Sequence, residues 1–371
     1  MTDVRLPVLR FGQRGVSPAS LGFRMPAEWE PHRATWLVWP HNRADWEVKT
    51  SAVEWCYAQI VEHLVDGERV AILVQNDVVE RRARRTMKLS GVPTSRVELY
   101  RVQTNRSWIR DSGPIFVRQA SSAGERAVAM TDWRFNGWAR YRAWQHDDAV
   151  PARLASRLKM RRFRVQVQQS NRYRPVVLEG GSIDVNGRGL LLTTEECLLS
   201  PVQARNPGMT RDAIEHILKA ALGARRVLWL EGGIAGDDTH GHIDGVARFV
   251  ARDTIVAAVE SDRADSNYEP LRANRARLKQ MRDLQGRPLR VVPIPMPRPI
   301  SFDGQRLPAS YLNFYIGNRR VLVPTFNDPN DRLALGRLAK VFPTREVVGI
   351  HAGDLILGLG ALHCLTQQEP L

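Results

Sequence analysis

Residues 181–192 read GSIDVNGRGLLL, and the local structure that these letters predict sets the fold. Short runs with alternating apolar residues flank Asn186-Gly187, a dipeptide that favours a tight turn between antiparallel strands. The stretch therefore predicts a β-hairpin. Similar stretches recur at residues 246–257 (VARFVARDTIVA), at residues 312–323 (LNFYIGNRRVLV) and, with a longer loop, at residues 114–130.

The predicted hairpins repeat at a nearly regular distance. Each has a polar residue at or just before its start, namely Asp111, Glu179, His242 and Asn313, which are roughly 63 to 71 residues apart. Helical periodicity and further β-runs follow the hairpins, with helices predicted at residues 211–222, 268–284 and 331–342 and strands at residues 227–230 and 291–294. The N-terminal part supplies one more unit, with a strand near residues 35–39, a helix at 53–64 and a strand at 69–74.

These repeats predict the α/β class and a five-bladed α/β propeller of pseudo-fivefold ββαβ units. Sequence identity between the units is negligible, so the inference depends on the order of elements alone. Units that close around an axis would bring their leading polar residues to one end of the ring.

Composition is that of a globular, enzyme-sized protein. The 371 residues are 43% hydrophobic and 25% charged, and no linker-like stretch divides them, so we expect one domain over residues 1–371. No apolar run approaches the roughly 20 residues that cross a bilayer, and the start lacks the apolar stretch of a secretory signal. We therefore expect no membrane partner and a cytoplasmic location.

Charge and cysteine content exclude several other classes of protein. The net charge is +15, but the arginines are scattered and no basic tail or zinc-finger spacing accompanies them, so no specific nucleic-acid partner is expected. Three widely spaced cysteines argue against a disulfide framework and against a cysteine-rich zinc site. A homodimer is compatible with the sequence.

One cysteine lies in a setting that suits chemistry. Cys364 follows a turn of small residues in the stretch GALHCLTQ, residues 360–367, and a thiolate is a strong nucleophile. The predicted ring would surround it with acidic groups and one imidazole, namely Asp111, Glu179, His242 and Asp244. Because nearby negative charge raises the pKa of a thiol, this set would activate Cys364 poorly by itself, but it makes sense if the substrate is a cation. A guanidinium fits, since its planar donors pair with carboxylates.

Several motifs in the same order resemble those of agmatine deiminases and of the bacterial, Porphyromonas-type peptidylarginine deiminase family that contains them. The motifs are MPAEWEPH (25–32), WLVWPHN (36–42), WIRDSGP (108–114), EGGS (179–182), GDDTHGHID (236–244) and HCLTQQ (363–368). The likeness runs from about residue 25 to residue 370, which leaves residues 1–24 as an N-terminal extension. It implies the pentein fold of guanidine-modifying enzymes, a five-bladed propeller, with no metal and no organic cofactor.

The resemblance also implies a role for each site residue. Cys364 attacks the guanidinium carbon, and Asp111 and Asp244 each hold guanidinium nitrogens. Glu179 pairs with the imidazole or with the substrate. His242 protonates the departing ammonia and then deprotonates the water that releases the product.

Other residues near these motifs have candidate roles in substrate binding or in structure. Trp108 would pack on the guanidinium or its aliphatic stem, or serve only as a structural aromatic. Gly358 and Gly360 would let the backbone approach the substrate. We expect Cys56 and Cys197 to be structural thiols, since Cys56 shares a helical apolar face. If residues 363 and 364 alternate along a strand, His363 points away from the site.

Two other classes of function remain open. The segment 240–244, His-Gly-His-Ile-Asp, mimics a metal-binding motif of metallohydrolases, although Gly245 stands where such sites often have another histidine. A noncatalytic protein that binds guanidines or polyamines is the second alternative.

The expected reaction is hydrolysis of agmatine to N-carbamoylputrescine and ammonia, which feeds putrescine synthesis. A deiminase of peptidylarginine or another substituted arginine is the runner-up. Two departures from the family pattern weaken the choice of agmatine. Arg106 stands where many agmatine deiminases have an acid, and residues 358–361 read GLGA where three glycines and an asparagine are usual.

Overall fold

The structure is a computed structural model, and it describes residues 8–11, 17–119, 127–169 and 172–371. The strands, in chain order, are β1 (Val8–Phe11), β2 (Phe23–Arg24), β3 (His32–Val38), β4 (Arg69–Val74), β5 (Val97–Arg101), β6 (Ile115–Gln119), β7 (Val128–Asp132), β8 (Arg161–Gln169), β9 (Arg172–Pro175), β10 (Asp184–Val185), β11 (Leu190–Thr194), β12 (Arg226–Leu230), β13 (Ala247–Ala251), β14 (Thr254–Val259), β15 (Arg290–Pro295), β16 (Ser301–Phe302), β17 (Gln305–Arg306), β18 (Tyr315–Ile316), β19 (Arg320–Thr325), β20 (Glu346–His351) and β21 (Gln367–Pro370). The α-helices are α1 (Arg43–Trp46), α2 (Thr50–Leu64), α3 (Asp77–Leu89), α4 (Ile109–Ser112), α5 (Gln145–Asp148), α6 (Val150–Leu158), α7 (Glu195–Leu199), α8 (Arg211–Leu222), α9 (Tyr268–Gln280) and α10 (Asn330–Val341).

Five sheets within these ranges repeat one arrangement, which we call a blade. Two antiparallel strands are followed by a helix and then by a third strand that is parallel to the second, because a parallel neighbour requires a crossover. The blades are β6-β7-α6-β8, β10-β11-α8-β12, β13-β14-α9-β15, β18-β19-α10-β20 and β21-β3-α2-β4. The predicted ββαβ propeller is confirmed.

The ring closes through the two ends of the chain. Strand β21 pairs antiparallel with β3, with Gln367 opposite Trp36, so the last strand of the chain completes the blade β21-β3-α2-β4. Side chains join neighbouring blades around the circle; for example, an Arg248 nitrogen donates to the carbonyl oxygen of Phe314 over 2.9 Å. Further links between neighbouring blades are Thr35–Tyr315, Arg118–Leu371, Gly181–Asp111 and Asn186–Arg252.

Local sequence explains why the helices begin and end where they do. Helix α8 has the predicted bounds because the Thr210 side chain accepts from the backbone N–H of Ala213, and Gly223 ends the helix with a φ of 71°. Helix α9 ends at Gln280, four residues earlier than predicted, since Met281 is already extended. The α8 side chains buried against the sheet are Ile214, Ile217, Leu218, Ala221 and Leu222.

The N-terminal strand β1 extends the sheet of the blade β6-β7-α6-β8. Strand β1 pairs in parallel with β8, at the outer edge of the sheet that contains β6 and β7. Residues 1–7 and 12–16 of the predicted extension lie outside the described residues. None of the described helices has both the length and the apolar character that a membrane span requires. The single-domain boundaries stay a prediction.

The segments that lead into the first strand of each blade carry the candidate site residues. Asp111 lies in α4 before β6, and Glu179 precedes a 3₁₀ turn at Gly180–Ser182. His242 and Asp244 lie in and next to the 3₁₀ turn Ile243–Gly245. His242 and Asp244 are two residues apart and would share one side of an extended strand, but the chain turns at this point, before β13 begins.

Candidate active site

Cys364 lies in a turn, residues 362–365, immediately before β21. Cys364 is 9% exposed. The Sγ atom accepts from Asn313 Nδ2 over 3.2 Å and lies 3.6 Å from Asp244 Oδ2. The carbonyl oxygen of Cys364 accepts from the backbone N–H of Arg110. The thiol is thus fixed between blades and faces a carboxylate.

The electrostatic setting of Cys364 favours the neutral thiol while the site is empty. Burial raises the pKa of this thiol well above its ordinary value, and the negative charges of Asp244 and Asp111 raise it further. A positive charge bound between these carboxylates would oppose both effects. The site therefore suits a nucleophile that becomes reactive only when a cation is present.

His242 lies between two carboxylates. Its Nδ1 is 3.8 Å from Asp111 Oδ1 and its Nε2 is 3.5 Å from Glu179 Oε2, and neither ring nitrogen has a hydrogen-bond partner among the described residues. Burial alone would lower the pKa of His242, but Asp111, Cys197 and Glu179 outweigh it and raise the pKa well above the usual value. His242 therefore carries a proton that it can donate.

Asp111 is held at both oxygens. Oδ2 accepts from the indole N–H of Trp138 over 2.9 Å, and Oδ1 accepts from the backbone N–H of Gly181 over 3.0 Å. Burial raises the pKa of Asp111 to about 6, with His242 opposing and Asp244 and Glu179 reinforcing the shift. A Cβ atom at Gly181 would lie 2.6 Å from His242 Nδ1, so only glycine fits here. Sequence reasoning identified neither Gly181 in this role nor Trp138.

Glu179 faces the imidazole. It is fully buried, and the Arg205 Nε–H lies 3.0 Å and 3.2 Å from its two oxygens. Burial would raise the pKa of Glu179, but Arg205 and His242 lower it on balance, so it is ionised. Of the two predicted partners of Glu179, the imidazole is the one that it faces. Arg205 was not predicted, because its partner lies 26 residues away in a different segment.

Asp244 has an unpredicted partner. Its Oδ2 lies 2.8 Å from His363 Nδ1, and His363 Nε2 lies 2.8 Å from Glu28 Oε2. The prediction that His363 points away from the site was wrong, because residues 362–365 form a turn and do not alternate as a strand.

A narrow cavity of about 30 Å³ opens beside the nucleophile, enough for at least one water molecule. Its walls are formed by Ile234, Asp237, Thr239, His242, Asp244, Gly245, Pro308, Asn313, Leu359, Gly360, Ala361 and Cys364. Asp111 and Glu179, the two acids next to the His242 ring nitrogens, are not among the residues that line the cavity. A guanidinium would need wall side chains to move apart by a small amount before it could enter.

Trp108 packs beneath the turn that precedes Cys364. Its ring centroid lies 5.2 Å from that of Trp46. A Cβ atom at Gly358 would lie 2.6 Å from Trp46 Nε1, and one at Gly360 would lie 2.6 Å from Trp108 Cζ3. The structure thus favours the structural reading of Trp108. Gly360 lines the cavity, whereas Gly358 contacts indole rings, and the substrate-binding roles of Trp108, Gly358 and Gly360 stay predictions.

The metal-binding reading of segment 240–244 gains no support from the geometry. His240 turns away from His242, with a φ of 63°, and its Nε2 lies 3.2 Å from Ser200 Oγ. Across the described ranges, the group whose spacing could hold a metal is Glu179, Cys197 and His242, with these ligand atoms within 4.8 Å of one another. Arg205 already occupies Glu179 with a positive charge, which opposes a divalent ion there.

The other two thiols are both buried. Cys56 lies in the main apolar core, as predicted. Cys197 also packs in a core cluster, but its thiol lies next to His242, a proximity that its sequence context did not indicate.

Arg106 does not present a free positive charge. Its guanidinium pairs with Asp45 and lies 4.2 Å above the ring centroid of Tyr141. Tyr141 in turn donates to Asp238 over 2.7 Å. Burial raises the pKa of Asp45 to about 7, against the opposing effect of Arg106. The departure from the family pattern at Arg106 is therefore balanced within the protein by an adjacent acid.

This arrangement of a propeller and a thiol among carboxylates matches known proteins along almost the whole chain. The family model of Porphyromonas-type peptidyl-arginine deiminase matches residues 24–370. The agmatine deiminase of Stutzerimonas stutzeri is 34% identical over 379 residues, covering 95% of this chain and 97% of that protein.

Solved structures agree with this match. One described as the agmatine deiminase of Enterococcus faecalis catalysing its reaction has a TM-score of 0.86 at 32% identity, covering 96% of this chain and 98% of that chain. The substrate-bound agmatine deiminase of C. jejuni has a TM-score of 0.81 at 28% identity, covering 94% and 96%. The fold and site thus define a pentein enzyme. The chain belongs to the Porphyromonas-type peptidyl-arginine deiminase family and is a hydrolytic enzyme.

Proposed function

We propose that this enzyme hydrolyses agmatine to N-carbamoylputrescine and ammonia through a covalent amidino-cysteine intermediate. The observation that carries the choice is the chemistry of the cavity wall beside Cys364. Asp244 and Asp237 line it, and no lysine or arginine does so within the described ranges. A guanidinium therefore meets carboxylates, whereas the carboxylate of free arginine would lack an arginine or lysine partner.

The apolar part of the wall supports the same choice. Ile234, Pro308 and Leu359 line the cavity together with the polar groups. Agmatine is a guanidinium on a four-carbon chain that ends in an ammonium, so its methylene groups suit these side chains. Arg106 is paired with Asp45, so it has no unpaired positive charge that would repel the distal ammonium of agmatine.

The first half of the reaction replaces a C–N bond by a C–S bond. The bound cation lowers the pKa of Cys364, the thiol releases its proton to solvent, and the sulfur adds to the guanidinium carbon. Asp244 in the cavity wall holds the planar nitrogens, and Asp111 joins it once the wall side chains have moved apart. His242 then gives its proton to one nitrogen, which leaves as ammonia. The product of this half is an S-alkyl amidinium on Cys364 and a neutral His242.

The second half restores the enzyme. Neutral His242 takes a proton from a water molecule while the water oxygen adds to the amidinium carbon. Collapse breaks the C–S bond and releases the Cys364 thiolate and a protonated urea, which passes its proton to ammonia. The sum is agmatine cation plus water giving N-carbamoylputrescine plus ammonium, with His242 protonated again.

Comparing substrates tests the proposal. Ammonia release would be measured with agmatine, free arginine and a short arginyl peptide, and we expect the highest kcat/KM for agmatine. A higher kcat/KM for the peptide than for agmatine would instead identify the enzyme as a peptidylarginine deiminase, the runner-up. Binding of agmatine without any turnover would instead indicate a noncatalytic guanidine-binding protein. The single domain, cytoplasmic location and homodimer stay predictions from the sequence.

A further inference from the structure

His363 has a fixed place between two carboxylates from different parts of the chain. It is 2% exposed, with Nδ1 2.8 Å from Asp244 Oδ2 and Nε2 2.8 Å from Glu28 Oε2. Its backbone N–H donates to Asn313 Oδ1 over 3.0 Å. The imidazole is thus held at the backbone and at both ring nitrogens, and it has one orientation.

The hydrogen-bond pattern sets the protonation state of this imidazole. Burial would raise the pKa of Glu28, but Arg248 and then His363 lower it well below its ordinary range. Burial would also raise the pKa of Asp244, but its hydrogen bond with His363 and that ring's charge lower it on balance. Ionised carboxylates only accept hydrogen bonds. Carboxylate oxygens 2.8 Å from each ring nitrogen suit an imidazolium, in which Nδ1 and Nε2 both donate.

This contact leaves half of the Asp244 carboxylate available. Oδ2 is bound by His363, whereas Oδ1 has no hydrogen-bond partner in the described ranges, and Asp244 lines the cavity. The Cys364 sulfur lies 3.6 Å from that same Oδ2. The imidazolium therefore acts on both partners of the reaction: it orients the carboxylate and offsets negative charge close to the thiol.

The far side of His363 is equally well anchored. Glu28 Oε2 lies 2.9 Å from an Arg248 nitrogen, and Glu28 Oε1 accepts from the backbone N–H of Ile316 over 2.8 Å. The row Glu28–His363–Asp244 thus connects a rigid part of the core to the cavity wall.

We propose that His363 is a positioning residue, which holds Asp244 in the orientation that clamps a guanidinium and limits the negative charge that Cys364 experiences. The inference deepens the proposed hydrolysis and rests on it. It assigns a role to the histidine next to the nucleophile, to which neither the sequence pattern nor the proposed mechanism gave one.

Replacing His363 by glutamine tests this role. The variant keeps one amide donor but loses the charge, and we expect kcat/KM for agmatine to fall roughly 10- to 100-fold, the range for a lost charge-assisted hydrogen bond. Most of the loss should appear in KM, because substrate clamping is weakened. His32→Gln is the matched control, since His32 is also buried and faces a carboxylate, Glu68, at 3.4 Å. Its kcat/KM should stay within about threefold of the parent enzyme.

The pH profile separates positioning from a structural role. Without the adjacent cation the pKa of Asp244 rises, so the acidic limb of kcat/KM should move to higher pH. The remaining titratable and charged groups around Asp244 are unchanged in this variant, namely His242, Arg248, Cys364 and Asp111. A folded variant with lower kcat/KM but an unmoved acidic limb would overturn the proposal.

A second measurement does not depend on turnover. The rate of Cys364 alkylation by a cationic haloacetamidine would be divided by the rate with the neutral haloacetamide. We expect the parent enzyme to prefer the cation, and His363→Gln to lose at least about tenfold of that preference. Glu28→Gln, which leaves His363 with a neutral acceptor, should lower the ratio in the same direction and serves if His363→Gln does not fold. Unchanged ratios in folded variants would overturn the proposal. If the parent enzyme fails to hydrolyse agmatine, the proposed function fails, whereas the alkylation ratio still tests His363.

Discussion

Gly181→Ala should disable the enzyme through a single added methyl group. A Cβ at this position would lie 2.6 Å from His242 Nδ1 and 2.8 Å from Asp111 Oδ1. Ordinary contacts of Cβ atoms begin near 3.4 Å, so His242 must shift by about 0.8 Å. Both neighbours are buried, and Asp111 is held by Trp138 and by the Gly181 N–H itself. Little room exists to absorb the shift elsewhere.

The size of the effect follows from that displacement. Misplacing a catalytic group by about 1 Å can cost on the order of 10² in rate. We therefore expect kcat for ammonia release from agmatine to fall about 100-fold, with overpacking costing about 1–3 kcal/mol of stability. Gly336→Ala is the matched control, because Gly336 lies in helix α10 and a Cβ there meets nothing within 4 Å. Its kcat should be unchanged, and its stability should rise by about 1 kcal/mol.

Steady-state ammonia release and thermal unfolding of both variants check this reasoning. If folded Gly181→Ala retained a kcat within threefold of the parent enzyme, the close placement of His242 and Asp111 would not be required for the chemistry.

Three further predictions concern the thiol and the charges near it. Cys364→Ala should abolish ammonia release while agmatine binding, measured by calorimetry, persists; residual turnover would show that another group is the nucleophile. The rate of Cys364 alkylation by a neutral haloacetamide should keep rising above pH 9, because burial, Asp244 and Asp111 raise the pKa of the Cys364 thiol. Peptide mapping would distinguish Cys364 from Cys56 and Cys197, and a rate that levels off near pH 8 would contradict the prediction. The pKa of Asp45 is raised to about 7, so the native state binds its proton more tightly than the unfolded chain does, and the contribution of Asp45 to stability falls as pH rises from about 4 to 7. The unfolding free energy of Asp45→Asn minus that of the parent enzyme should therefore increase over this pH range. A difference that stays flat or falls would contradict the assigned pKa.

The blades could be predicted because their signals are local. Asn186-Gly187 marks a turn within a few residues, and the apolar period of residues 211–222 with Thr210 and Gly223 marks a helix with both ends. The order of such signals specified five units. Helix α6, Val150–Leu158, was not predicted, and the end of α9 was placed four residues too late. The closing strand β21 pairs with β3 across most of the chain length, and no local pattern encodes that partner.

The candidate site divides in the same way. Cys364, His242, Asp244, Asp111 and Glu179 were predicted because reactive residue types stand in recognisable motifs, and the fold brings all five together. Their supports were not found. Arg205 and Glu28 act over 26 and 335 residues of sequence separation, on Glu179 and His363 respectively. Such pairings are decided by the meeting of blades and not by neighbours in the chain.

The positions of the charges explain why the nucleophile can lie among acids. The supporting basic groups are each paired with carboxylates: Arg205 with Glu179, and His363 with Asp244 and Glu28. On the cavity side, Asp244 keeps one free oxygen and Cys364 remains a neutral thiol. Only a cation that enters the cavity completes the balance, and in doing so it lowers the pKa of the sulfur that is to attack it. Binding of the cation and activation of the thiol are then the same electrostatic event, so a ligand whose headgroup is a neutral urea, such as the product, should neither bind tightly nor activate the thiol.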